Sequence, residues 1–90
     1  MPKIMVLFGY QISIWSNENG EPMHVHVSKG RPTPNATKLW LLEDGTFSLA
    51  HNKSRVPEPI LKKIILALNA NTIVIHSAWI NFHGYEKYYK

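Results

Sequence analysis

Trp15-Ser-Asn-Glu-Asn-Gly-Glu-Pro-Met-His-Val-His-Val-Ser-Lys29 joins the end of one apolar strand to the start of another through a polar loop, Ser16 to Pro22. Side chains alternate faces along a strand, so residues i and i+2 point the same way, roughly 6–7 Å apart. His24 and His26 therefore stand together on one face of a strand running from Met23 to Lys29. Met23, Val25 and Val27 stand on the other. Imidazoles on one side and valines on the other predict a half-buried strand.

The preceding stretch, Tyr10 to Ser16, alternates in the same way, with Tyr10, Ile12 and Ile14 on one face and Gln11, Ser13 and Trp15 on the other. Antiparallel pairing across the Asn17-Glu-Asn-Gly20 turn puts Ile12 and Ile14 beside Val25 and Val27 in a core face. The second face then collects Gln11, Ser13, Trp15, His24 and His26. Upstream, Lys3 to Phe8 is an apolar run broken at Gly9. It is too short for a signal peptide and lacks a small-residue cleavage site, so it reads as the first strand.

Downstream, Gly30-Arg-Pro-Thr-Pro-Asn35 is loop, because its prolines cannot donate to a ladder. Ala36 to Leu42 reads as a strand with Leu39 and Leu41 inward and Lys38 and Trp40 outward. Glu43-Asp-Gly45 turns the chain into Thr46 to Ala50, with Phe47 and Leu49 inward. After the polar bridge His51–Arg55 the period changes. Val56, Ile60, Leu61, Ile64, Ile65 and Leu68 follow helical spacing, and Pro57 and Pro59 suit a helix opening. Asn69-Ala-Asn71 ends that helix, and Asn71 or Thr72 can cap the next. Thr72–His76 is rich in β-branched residues and fits a strand. Ile75, Ala78, Trp79 and Phe82, however, make the apolar stripe of a helix, which is the preferred reading, ending before Gly84. The tail Tyr85–Lys90 is expected to fray.

The chain is thus expected to be a single α+β domain spanning residues 1–90, an antiparallel sheet of about five strands followed by two helices packed on one face. The other face is expected to be partly open. Ninety residues without cysteine exclude disulfide scaffolds and thiolate chemistry and fit a reducing cytoplasm. The longest apolar run is far short of a membrane span, so no membrane partner is expected. Ten Lys and Arg against six acids give a net charge of +4, scattered rather than gathered into a basic arm.

Three chemistries suit the second face. A pair of histidines can act as base and acid on RNA, with His24, His26 and His51 as catalytic candidates and Lys29, Lys38 or Lys53 stabilising the developing charge. His24, His26, His51 and Glu21 can instead be read as metal ligands. The plainer reading is structural, with the imidazoles bonded across to Gln11 or Ser13 and Glu21 either solvated or holding a histidine tautomer. Trp15 and Trp40, with Lys38, can stack bases or form an apolar patch for a protein partner. Trp79 reads as core. No cofactor-binding glycine loop, nucleophile elbow or helix-turn-helix is present.

The order Phe8-Gly-Tyr10, Trp15-Ser-Asn17, Glu21-Pro22, His24-Val-His-Val27, Lys29-Gly30, Trp40-Leu-Leu-Glu-Asp-Gly45, Leu49-Ala-His-Asn-Lys53, Ile60-Leu61 and Trp79 resembles a bacterial family of small proteins known as domain of unknown function 4160. The Glu-Pro-x-His-x-His element is the most specific part. The resemblance implies a compact α+β fold and a gene often adjacent to that of another small protein, as in toxin–antitoxin-like or regulatory pairs. It carries over the positions Glu21, His24, His26, His51 and Asn52 without a catalytic assignment. The proline-rich Gly30–Pro34 loop departs from the pattern.

The expected function is therefore a small cytoplasmic member of such a pair, acting through protein contact and, as a second partner, on RNA. The alternatives are a non-catalytic protein-binding module with structural histidines and a metal-dependent hydrolase. Binding is assigned to Trp15, Glu21, Lys29, Lys38, Trp40, Asn52 and Lys53. No cofactor or metal is assigned, and self-association is compatible with the size.

Overall fold

Strand β1 (Lys3–Leu7) turns directly into β2 (Tyr10–Ser13), and β3 (His24–Ser28), β4 (Thr37–Leu41) and β5 (Phe47–His51) follow. Helices α1 (Glu58–Ala70) and α2 (Thr72–His83) complete the chain. This computed structural model describes residues 3–15, 20–31 and 33–89. Parts of the expected Ser16–Pro22 loop, the Asn17–Gly20 turn and the Gly30–Asn35 loop, and Lys90 of the tail, lie outside the described residues.

The sheet is an antiparallel meander in the order β1-β2-β3-β4-β5. Its register confirms the two faces. Ile12 lies opposite Val27 and Val25 opposite Leu39, while Ser13 lies opposite His26 and His24 opposite Trp40. Both outer ladders are irregular, with a register shift at Lys3/Met5 and another at Lys38/Leu39. The inner two run without one.

Ile12, Ile14, Val25, Val27, Leu39 and Leu41 are fully buried beneath Leu61, Ile64 and Leu68 of α1 and Ile75 and Trp79 of α2. Leu49 was expected inward but is 44 % exposed, although its strand neighbour Phe47, bonded through its N–H to Asn69 of α1, is buried. Pro57 and Pro59 open α1, where their missing N–H groups cost nothing. Neither Asn71 nor Thr72 caps α2 through its side chain. Asn71 Nδ2 donates to the Ala67 carbonyl, and Thr72 Oγ1 reaches the carbonyls of Leu68, Asn69 and Gly45. They close the end of α1 and tie it to the β4–β5 hairpin. Asn69 Oδ1 accepts the Phe47 N–H at 2.9 Å, so the residue read as a helix stop also satisfies the edge strand.

α2 is helical throughout, including Thr72–His76, and stops where Gly84 takes a left-handed φ of 78°. It starts beside the β4–β5 hairpin, and His83 Nε2 lies 3.1 Å from the carbonyl oxygen of Trp15. The helix therefore crosses the sheet at the end where β2 finishes and β3 begins. The tail does not fray. Met23 N–H donates to the Lys87 carbonyl at 2.7 Å, Tyr89 N–H to the Leu41 carbonyl at 3.2 Å, and Tyr85 Oη to the Glu21 carbonyl at 2.8 Å. Among the described residues no single helix is long and apolar enough to cross a membrane.

Candidate functional site

The second face is closed rather than partly open. His24 is 0 % exposed and His26 5 %. The cause is aromatic cover that alternation along the strands does not reveal. Trp15 stacks flat on His26, with ring centroids 3.9 Å apart and an interplanar angle of 14°. His24 meets His26 edge-on at 5.0 Å, Trp40 edge-on at 5.4 Å and Trp79 at 5.1 Å. Tyr89 from the tail lies parallel to Trp40 at 4.7 Å. Edge-to-face and offset contacts of this kind suit rings whose faces are negative and edges positive.

His24 Nδ1 donates to the Pro22 carbonyl at 2.7 Å. A carbonyl only accepts, so Nδ1 carries the proton and the neutral ring keeps its lone pair on Nε2. The orienting part expected of Glu21 is thus filled for His24 by the main chain of the next residue. The Glu21 carboxylate takes the ammonium of Lys38 at 2.6 Å. Lys38 lies 4.2 Å from the centre of the Trp40 ring, so its charge is held between a carboxylate and an indole.

Burial holds both imidazoles neutral. His24 is lowered from 6.5 to about 4, chiefly by loss of water; its bond to Pro22 opposes the shift and Lys38 adds to it. His26 is lowered to about 3, again by burial first, then by His24 and Lys38. His51 is lowered in the same direction by burial, Lys53 and Lys38.

Of the expected site residues, Trp15, Glu21, His24, His26, Lys38 and Trp40 converge. His51 lies opposite Lys38, which itself lies opposite His26. It therefore shares the row but stands two strands away, about 10 Å in main-chain spacing. Among the described residues no group of three His, Asp or Glu side chains lies close enough to hold a metal ion, so the ligand set read from the sequence does not assemble. Ser13 Oγ is buried without a hydrogen bond among the described residues, and the histidines meet rings rather than this hydroxyl.

Lys29 and Lys53 are exposed and belong to the opposite end of the sheet. Asn52 is structural. Its Oδ1 accepts from Thr37 Oγ1 at 2.7 Å and Val56 N–H at 2.9 Å, and its Nδ2 donates to the Val56 carbonyl at 2.9 Å. The residues that sequence reasoning missed are His83, Tyr85 and Tyr89. The signal was there in the density of tyrosines after Gly84, which is unusual for a solvated end.

Removing the Lys38 charge tests the coupling inside this cluster. Lys38→Met keeps a stem over Trp40 and deletes the ammonium. It is expected to cost about 1 kcal/mol and to raise the pKa of both His24 and His26, as followed by NMR titration.

No curated protein and no solved structure matches this chain. Residues 9–80, from the β1–β2 turn through most of α2, match the family described as a domain of unknown function, DUF4160, and the chain belongs to that family.

Proposed function

We propose that this chain is a non-catalytic binding module, the cytoplasmic member of a toxin–antitoxin-like or regulatory pair, and that it works by protein contact. The observation that carries this reading is the outer side of α2. The helix, Thr-Ile-Val-Ile-His-Ser-Ala-Trp-Ile-Asn-Phe-His, contains no Asp, Glu, Lys or Arg. Ile73 is 81 % exposed, and Val74, Ser77 and Ile80 share its outward side. A surface helix ordinarily turns charged residues to water, and one that is apolar all round is covered.

A second protein suits this face better than a lipid surface, because helices that lie in a membrane interface carry Lys and Arg beside their apolar side. The paired genes that the family resemblance implies make the neighbouring small protein the expected occupant. The closed histidine face supports the non-catalytic reading. General acid catalysis near neutral pH needs an accessible imidazolium, and His24 and His26 are covered and neutral.

Co-expression with the product of the adjacent gene is expected to yield a one-to-one complex by size exclusion with light scattering. Ile73→Glu with Ile80→Glu is expected to weaken it at least tenfold while leaving the melting temperature of the isolated chain in place. Unchanged affinity in that variant would remove α2 as the contact. Growth inhibition by the wild type that a folded His26→Ala variant relieves would restore a catalytic role.

A further inference from the structure

The exposed cations are not spread evenly over the fold. Three connections meet at the end of the sheet opposite α2: the β1–β2 turn, the β3–β4 loop and the β5–α1 loop. Lys29 and Arg31 emerge from the second, Lys53 and Arg55 from the third, all exposed. Lys63 of α1 adds a fifth charge, with Nζ 5.9 Å from the centre of the Phe8 ring in the first turn. Glu58 is the one acid at this end among the described residues, and it faces Lys62 at 3.5 Å. Glu21, Glu43, Asp44 and Glu86 all belong to the other end, by the β4–β5 hairpin and the tail. The molecule therefore carries a basic pole, whereas the four acids of the other end share it with Lys3 and Lys87, and Glu21 is paired with Lys38.

Two features make the basic pole a presented surface. The β5–α1 loop is pinned to the sheet. Ser54 Oγ lies 2.5 Å from Thr37 Oγ1, Arg55 N–H donates to the Asn52 carbonyl at 3.1 Å, and Asn52 braces Val56 as described above. Lys53 and Arg55 thus project from an ordered loop, which lowers the entropy cost of binding. The second feature is Phe8. It forms a two-residue hairpin turn with Gly9, with φ of 51° and 82°. Asn, Asp or Gly suit the first position of such a turn. A phenylalanine there is strained, and its ring is 55 % exposed. Backbone strain that holds an aromatic ring in solvent among cations points to use of that ring.

We propose that this pole binds the backbone of single-stranded nucleic acid, with Phe8 stacking on a base. Cations that follow a phosphate chain beside an exposed aromatic platform are the common means of sequence-tolerant single-strand binding. From β2 to β5 the pole spans about 14 Å at ~4.8 Å per strand, enough for several phosphates. The excess of cations at this end would steer a polyanion toward it. The proposal is independent of the protein contact through α2, which crosses the far end of the sheet.

The test is fluorescence anisotropy with labelled twelve-residue oligouridine and oligothymidine, titrated at several salt concentrations. Saturable binding is expected, with a log–log salt slope of about −3 from four to five phosphate contacts at ~0.7 each. Lys53→Ala should weaken binding several-fold and reduce the slope by about 0.7. Phe8→Asn should weaken it about tenfold, leave the slope unchanged and raise the melting temperature, since asparagine relieves the turn. Absence of saturable binding at low salt would overturn the proposal. So would equal binding of polyglutamate or anionic vesicles with no effect of Phe8→Asn, because a mere cation patch would then account for the data.

Discussion

Acidification from pH 8 to pH 5 is expected to remove about 4 kcal/mol of stability, and further loss should follow to pH 4. His24 and His26 resist protonation in the folded chain down to about 4 and 3, whereas in the unfolded chain they take up protons near 6.5. The unfolded state therefore binds more protons across this window, and stability rises with pH. Only about one pH unit above 6.5 do the two states hold nearly the same protons at these sites, and there the penalty vanishes. A domain of this size has only ~5–15 kcal/mol in total. A chain near the lower end of that range is expected to unfold between pH 4 and 5, and a more stable one to lose a large share of its stability there. Urea denaturation at pH 7.5, 6, 5 and 4 measures it. His26→Phe keeps a ring against Trp15 and should roughly halve the pH dependence. A midpoint that stays flat from pH 7 to 5 would refute the buried, neutral pair.

Ending the chain at Gly84 is expected to cost on the order of 4 kcal/mol. The deletion removes the Lys87 carbonyl that accepts from Met23, the Tyr89 N–H that donates to Leu41, and the Tyr85 hydroxyl bonded to the Glu21 carbonyl. It also uncovers Trp40 and the side of Trp79 that Tyr85 meets at 5.8 Å. Met23 is fully buried, so its N–H would be left short of a partner at the sheet end. With water admitted, the pKa of His24 should climb toward 6.5, and the acid sensitivity of the shortened chain should shrink. Thermal melts and histidine titration read the two effects separately. Tyr89→Ala removes only one stack and should cost about 1 kcal/mol, which keeps the idea testable if the shorter chain does not fold. A truncated chain as stable as the full one would show that the tail is not a cover.

The two faces of the sheet were legible because Tyr10–Ile14, Met23–Val27 and Lys38–Leu41 alternate without interruption, and a one-residue slip would turn every isoleucine and valine outward. α2 was legible through Ile75 and Trp79, whose spacing outweighs the strand preference of Thr72–Ile75. What covers the histidines was not legible. Trp, His, Tyr and Lys have apolar bodies and polar tips, so their presence on a strand is compatible with water or with burial. Tyr85–Tyr89 has no period to read, because its bonds go to the main chain of Met23 and Leu41, more than forty residues away in sequence. Leu49 illustrates the same limit from the other side, since alternation assigns a face but not whether anything reaches it.

The irregular outer ladders have a bearing on how copies of this chain behave at high concentration. A meander leaves β1 and β5 with a row of unpaired main-chain groups each, which is a template for adding foreign strands and building fibrils. A register shift bends and twists the strand that carries it. The shifts at Lys3/Met5 and Lys38/Leu39 fall in the two pairings that flank these rims, and Asn69 already occupies the Phe47 N–H on one of them. An incoming strand would meet a rim that is short, twisted and partly taken. The irregularities thus act as polymerisation stops at both edges of an otherwise regular sheet.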